Sequence, residues 1–310
     1  MICVIALIIF SVLGIFSATH RALAKEALDC VFRRVTFRPC TTGFNEKIKG
    51  KVIGRLLNRS VIAARIFNKH FEIISWIFVI LTVGSTFFTV KGAYNYYLYG
   101  SCNGLNQSGF CAFDPAGENN KVSQVATQCN LEKPTEKDLI LNNVDLSLFP
   151  TKGDDAKDKI VFIGCYSCDY TRKAYPLIQK LVKNNKVSFI FAHFPVKDQT
   201  NFLSEFGYCA YKQDKDKFWQ LNDKIFAADK NDIGNIDNIE KFASNVGYNL
   251  SDIRECIADP STRDAVDNQM NELQKTHIYG TPTIFINGKV FIGAKPYRVY
   301  ERALKGWRFW

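Results

Sequence analysis

Two cysteines with two residues between them, Cys165-Tyr166-Ser167-Cys168, carry the most legible chemistry in this 310-residue chain. A thiolate can attack a disulfide, and a second thiol three positions away can resolve the mixed disulfide that forms. The same spacing is half of a zinc site. The other half is not in the sequence: the remaining cysteines are single and the four histidines, His20, His70, His193 and His277, are scattered, so no metal is expected. On either side of the pair, residues 159–164 have strand composition, and residues 169–183 have helical spacing with Ala174, Leu177, Ile178, Leu181 and Val182 apolar and Pro176 as a kink. The pair would then sit between the mouth of a strand and the first turn of a helix. Unpaired N–H groups and the helix dipole favour negative charge there, which makes Cys165 the candidate nucleophile and Cys168 the resolving thiol.

About a hundred residues later, Gly280-Thr281-Pro282-Thr283 opens a second apolar stretch with two short β-rich runs around Asn287-Gly288. Asn-Gly is the strongest short hairpin signal. A proline at a strand entrance reads either as an ordinary edge-strand residue or as a cis bond.

Strand, Cys-x-x-Cys, helix, strand, helical stretch, Gly-Thr-Pro-Thr and hairpin together resemble the DsbA-like branch of the thioredoxin superfamily, over about residues 136 to 310. His193-Phe194-Pro195, Cys209-Ala210-Tyr211, Phe218-Trp219 and Cys256-Ile257 are further points of similarity. The implied fold class is α/β: a thioredoxin-like fold with a helical insertion at about 199–276. Carried over by residue, the resemblance implies that Cys165 attacks or is attacked, that Cys168 resolves, that Pro282 is cis beside the disulfide, and that Thr281 meets the substrate backbone. It also allows a bridge between Cys209 and Cys256, the alternative being two buried free thiols. The dipeptide Tyr166-Ser167 lacks the proline or histidine of many relatives, and no acidic residue lies just upstream of Cys165.

The rest of the chain bears on location. Residues 2–18 and 73–90 contain no Lys, Arg, Asp or Glu. Each is close to the ~20 residues that cross a bilayer. Residues 1–19 and 71–99 are therefore read as transmembrane helices, the second ending in an aromatic belt of Tyr94, Tyr96, Tyr97 and Tyr99. Segment 20–70 between them holds twelve Lys and Arg against Glu26, Asp29 and Glu46, which accounts for nearly all of the net charge of +10. A basic balance concentrated there argues for membrane lipid and against nucleic acid. The positive-inside rule makes this loop cytoplasmic and puts both chain ends outside, in a compartment where disulfides persist. A cleaved leader ending at Ala22-Leu23-Ala24 would invert that topology.

Residues 100–135 read as a Cys-containing linker in which Cys102 and Cys111 are the candidate bridge and Cys129 is left over. Cys30 and Cys40 are expected to be cytoplasmic and reduced, with Cys3 inside the first apolar run. The expected function is a membrane-tethered thiol–disulfide oxidoreductase that introduces disulfides into exported proteins. Its cofactor is none beyond the redox-active Cys165–Cys168 disulfide. Its partners are unfolded or extended Cys-containing clients and, because turnover needs an electron acceptor that the chain lacks, a quinone-linked membrane oxidase or other thiol partner. A reductase or isomerase of the same fold and a redox-inert binding module are the alternatives.

Overall fold

The computed structural model describes Leu7 and residues 18–35, 44–58, 60–124, 139–153, 156–196 and 198–306. Two compact units divide the chain, residues 1–91 and 92–310.

Among the described residues, the first unit is helical: α1, Ala18–Val35; α2, Phe44–Leu57; α3, Val61–Lys69; and most of α4, Phe71–Tyr99. Ser60 starts α3 by accepting a hydrogen bond from the Ala63 N–H, which satisfies one orphan donor of the first turn. Cys30 on α1 is buried and disulfide-bonded. That corrects the expectation of a reduced thiol there, since a disulfide persists only in oxidising surroundings. Cys3, Cys40 and almost all of the first apolar run lie outside the described residues.

Among the described residues no helix is long and apolar enough to cross a membrane. The expected second span, α4, is 29 residues long, and its uncharged stretch 73–90 includes side chains outside the described set. Three of its hydroxyls are satisfied internally: Ser85 and Thr86 donate to the Thr82 carbonyl and Thr89 donates to that of Ser85.

The second unit holds a five-stranded sheet. Its strands are β2, Thr151–Lys152; β3, Asp158–Gly164; β4, Val187–His193; β6, Thr283–Ile286; and β7, Lys289–Ile292, in the order β2-β4-β3-β6-β7. β3 and β4 run parallel, and every other pair is antiparallel. Their near-continuous apolar composition follows from burial on both faces. Ile160, Phe162, Phe189, Phe191, Ile284 and Ile286 face one cluster, while Val161, Ile163, Ile190, Ala192, Phe285 and Ile292 face the other. Each Val, Ile or Phe among them, fully buried, contributes roughly 1.5–3 kcal/mol. Asn287 and Gly288 turn the β6–β7 hairpin with positive φ angles of 50° and 81°, the pattern that a two-residue hairpin requires. Asn287 also accepts from the Lys159 N–H at 2.8 Å and so fixes the hairpin to the start of β3.

Helix α5, Asp169–Asn184, packs one face of the sheet, with Pro176 inside it. Five helices follow β4: α6, Phe202–Gln213; α7, Lys215–Ala227; α8, Ile236–Val246; α9, Leu250–Ala258; and α10, Pro260–Gln274. Asp214 accepts from the Asp216 and Lys217 N–H groups and so starts the second of these at Lys215. The Cys209–Cys256 disulfide ties α6 to α9, and Cys102–Cys111 closes a loop ahead of the sheet.

Two features of this unit depart from a simple linker and belt. The tyrosines that end α4 are engaged by α11, Tyr297–Lys305: the Arg298 guanidinium lies 5.2 Å from the Tyr96 ring and that of Arg302 lies 3.9 Å from Tyr97. The same arginines donate to the Tyr96 and Tyr97 carbonyls in the last turn of the helix, where the Tyr96 carbonyl also accepts from the Gly100 N–H. The described part of segment 100–135 is likewise built into the domain. The Asn106 side chain donates to the Val290 carbonyl and accepts from the Ile292 N–H, closing the β7 edge as a neighbouring strand would. Cys129 lies outside the described residues.

Candidate active site

β3 ends at Gly164, where nothing larger fits. A Cβ there would come within 2.6 Å of Thr171 and 2.7 Å of Phe162. The chain then turns through Cys165-Tyr166-Ser167-Cys168, with the Cys168 N–H donating to the Cys165 carbonyl at 3.2 Å, and α5 begins at Asp169 with Cys168 as its cap residue. Both thiols are free and neither sulfur-bearing residue is exposed to solvent. The Cys165 sulfur lies 3.2 Å from the Ser167 hydroxyl and 3.9 Å from that of Thr200. The Cys165 N–H donates to Thr171 Oγ1 at 3.4 Å.

The two thiols are pushed in opposite directions. Hydrogen bonding to Cys168 is the leading cause that holds Cys165 far below the ordinary thiol range, with His193 and Ser167 adding to it against the cost of burial. The Cys165 thiolate and burial together keep Cys168 protonated. One nucleophile and one proton-bearing partner is the division of labour that exchange needs.

His193 ends β4 beside the thiol pair. Its ring lies 4.6 Å from that of Tyr166, and its Nδ1 is 3.0 Å from the Ser204 hydroxyl. Its Nε2 is buried without a partner in ideal hydrogen-bond geometry, yet the ring holds the Cys165 thiol low through hydrogen bonding and, after that, through charge. Tyr166 is itself anchored. Its hydroxyl donates to Asn222 Oδ1 at 2.6 Å, Asn222 donates to the Tyr175 hydroxyl at 2.8 Å, and Tyr175 donates to Asp223. Arg172 on α5 donates to the Tyr166 carbonyl at 3.0 Å and holds the other side of the turn. Burial pushes both the Tyr166 and Tyr175 phenols up, so they remain neutral donors. No spacing rule could reveal these partners, because Asn222 and Asp223 come from the insertion.

The distal segment meets the pair. The Thr281–Pro282 peptide bond is cis, and the Thr281 side chain acts on the Cys168 thiol, although its hydroxyl is buried without a hydrogen-bond partner in bonding geometry. Cys165, Cys168, Thr281 and Pro282 therefore share one site, whereas Cys209–Cys256 and Cys102–Cys111 are closed disulfides elsewhere in the unit. Among the described residues, no three His, Cys, Asp or Glu side chains come together as metal ligands.

Residues 154–306 match the protein-family model described as Thioredoxin. Over 148 residues the chain is 28% identical to a probable disulfide bond formation protein D of Bacillus cereus, covering 44% of this chain and 68% of that protein. The Bacillus anthracis protein of the same name is 26% identical over the same length and coverage. Oxidised BdbD from Bacillus subtilis superposes with a TM-score of 0.46 at 23% identity, over 55% of this chain and all of that one. A thioredoxin-like domain with two unlike thiols at a helix start defines a thiol–disulfide exchange protein. The chain is a thiol–disulfide oxidoreductase whose carboxy-terminal residues 154–306 match the thioredoxin family model.

Proposed function

We propose that this protein introduces disulfide bonds into exported polypeptides, with Cys165 and Cys168 as the reacting pair. A client thiolate attacks the Cys165 sulfur of the Cys165–Cys168 disulfide; the S–S bond breaks, Cys168 leaves as a thiolate and takes up a proton, and a mixed disulfide forms. A second client thiolate then attacks the client sulfur of that mixed disulfide. Cys165 leaves, the client is oxidised by two electrons and the enzyme pair is reduced. The observation that carries this direction is the stabilised Cys165 thiolate, which is a good leaving group and favours the reduced enzyme, as a dithiol oxidant requires. Thr281 and Pro282 would contact the client backbone, and the names of the Bacillus relatives agree with the direction.

The pair supplies the redox chemistry without a prosthetic group, so an oxidising partner, of which a quinone-linked membrane oxidase is the simplest class, must regenerate it. The domain would work on the extracytoplasmic side, tethered by α4 and by the first apolar run. The uncharged stretch 73–90 and the internally satisfied Ser85, Thr86 and Thr89 hydroxyls support the tether, because a lipid-facing donor must find its acceptor within the helix. The basic residues of segment 20–70 favour its cytoplasmic placement and the Cys30 disulfide opposes it. Thiol labelling of Cys30 in intact cells decides between them.

The function is tested by mixing the oxidised protein with a reduced two-cysteine peptide. One peptide disulfide should form per Cys165–Cys168 disulfide consumed, and Cys165→Ala should form none. Reduction of an oxidised peptide by the dithiol protein, with no reaction in the forward direction, would favour the reductase instead.

A further inference from the structure

The sheet edge beside Cys168 already has an occupant. β1, Ser123–Gln124, pairs antiparallel with β5, Gly280–Thr281, placing Ser123 opposite Thr281 and Gln124 opposite Gly280. Thr281 directly precedes Pro282 against the thiol pair, so β5 is the backbone that an extended client would need. Backbone hydrogen-bonding groups on one edge serve one added strand at a time.

The fit is close. A Cβ on Gly280 would lie 2.7 Å from both the Ser123 carbonyl oxygen and a Val122 methyl group, and one on Gly293 would lie 2.8 Å from the Lys121 carbonyl oxygen. Gly293 also has a φ of 81°, which favours glycine for a second reason. Both glycines make room for the segment that arrives. That segment is held upstream, where the fully buried Lys295 donates to the Asn120 side chain and Asn120 donates to the Gln107 carbonyl. Downstream of these anchors, Ser123 stands opposite Thr281 in the ladder, and its side chain acts to lower the Cys168 thiol pKa. Neither cysteine of the pair has any solvent exposure, although exchange requires a client sulfur to touch one of them.

We propose that residues 121–124 are a strap, an intramolecular occupant of the client slot that must leave β5 before a client strand can pair there. The idea rests on the exchange reading above for what the slot is for. A two-residue ladder is short, so a longer client strand with its own side-chain contacts can displace it, and weak or folded segments cannot. The strap thereby selects for extended clients and shields the thiolate from indiscriminate reaction.

The test uses the full chain and a redox-inert probe, an extended client peptide with serine in place of each cysteine. In the wild-type chain, amide hydrogen exchange should show residues 121–124 and 280–281 protected. Saturating peptide should expose the first segment while the second stays protected. Ser123→Pro disfavours the paired strand and should tighten peptide binding about 10-fold if the strap fills the slot nine-tenths of the time. An unprotected strap in the free chain, a strap still protected under saturating peptide, or a Ser123→Pro chain that binds no better than wild type would each overturn the proposal. The exchange measurement on the wild type does not depend on the variant folding. Because binding is read without thiol chemistry, a failed strap is distinguished from a failed exchange reading, which shows instead as no disulfide transfer by the wild type.

Discussion

Two cysteine pairs in one domain have opposite fates. Cys165 and Cys168 are free, and Cys209 and Cys256 are bonded, yet all but Cys256 are buried. Burial alone therefore does not decide reactivity. The free pair lies at the start of α5, where N–H groups are unpaired and the dipole is positive, with Ser167, Thr200 and His193 around the first sulfur. Cys256 stands in the last turn of α9 and Cys209 in the second half of α6, where the dipole disfavours a thiolate, and the Thr262 hydroxyl near both sulfurs donates to the Cys256 carbonyl. On the proposed function, position along the helix, rather than depth, separates the reacting pair from the structural one.

The sharpest way to break that contrast is to remove one sulfur from each pair. Cys165→Ala should lower disulfide transfer by roughly 1,000-fold or more, the scale on which loss of a nucleophile acts, with the denaturation midpoint of the reduced protein changed far less. Cys209→Ala should do the reverse. Opening a crosslink that spans 47 residues costs about 4 kcal/mol on chain-entropy grounds, read as a lower urea midpoint, while transfer by the folded fraction persists. If Cys209→Ala abolished transfer without loss of stability, the division between the pairs would be wrong.

Smaller effects sharpen it. Asn222→Leu leaves the buried Tyr166 hydroxyl without its acceptor and should cost about 1–3 kcal/mol of stability. His193→Leu removes one support of the thiolate. The Cys165 pKa, followed by thiolate absorbance, should rise and the reduction potential should become more negative, about 30 mV for each tenfold loss of preference for the reduced form. Acidity tests the same support. A depressed thiol pKa stabilises the reduced fold fully above the ordinary value of 9.0, progressively less as pH falls, and not at all below the folded pKa. The reduced protein should thus exceed the oxidised one in urea midpoint at pH 7, with the gap narrowing by pH 4.

Much of the site was legible in the chain because exchange chemistry leaves short motifs. Cys165 to Cys168, the strand before them and the helix after them follow from local composition, and Asn287-Gly288 announces its hairpin through the φ angles that only such residues adopt easily. What the sequence hid was long-range or polar. His193 reads as the end of a strand, and only the packed sheet brings its ring against Tyr166. Asn222 looks like any polar residue on an amphipathic helix, although it bridges two buried tyrosines. The stretch from Cys102 to Gln124, rich in Gly, Asn, Ser and Gln, has the composition of a loop. Its Asn106 and Asn120 amides nevertheless hydrogen-bond backbone carbonyls at 2.9 Å and seat it on the domain. Composition reports solvation preference and cannot report which amide finds a carbonyl.

The reduction potential of the Cys165–Cys168 pair, equilibrated against glutathione in the full chain, tests the central claim most directly. A stabilised Cys165 thiolate predicts an oxidising value, toward about −120 mV, whereas a value near about −270 mV would mark a reductant and contradict the proposed direction of electron flow.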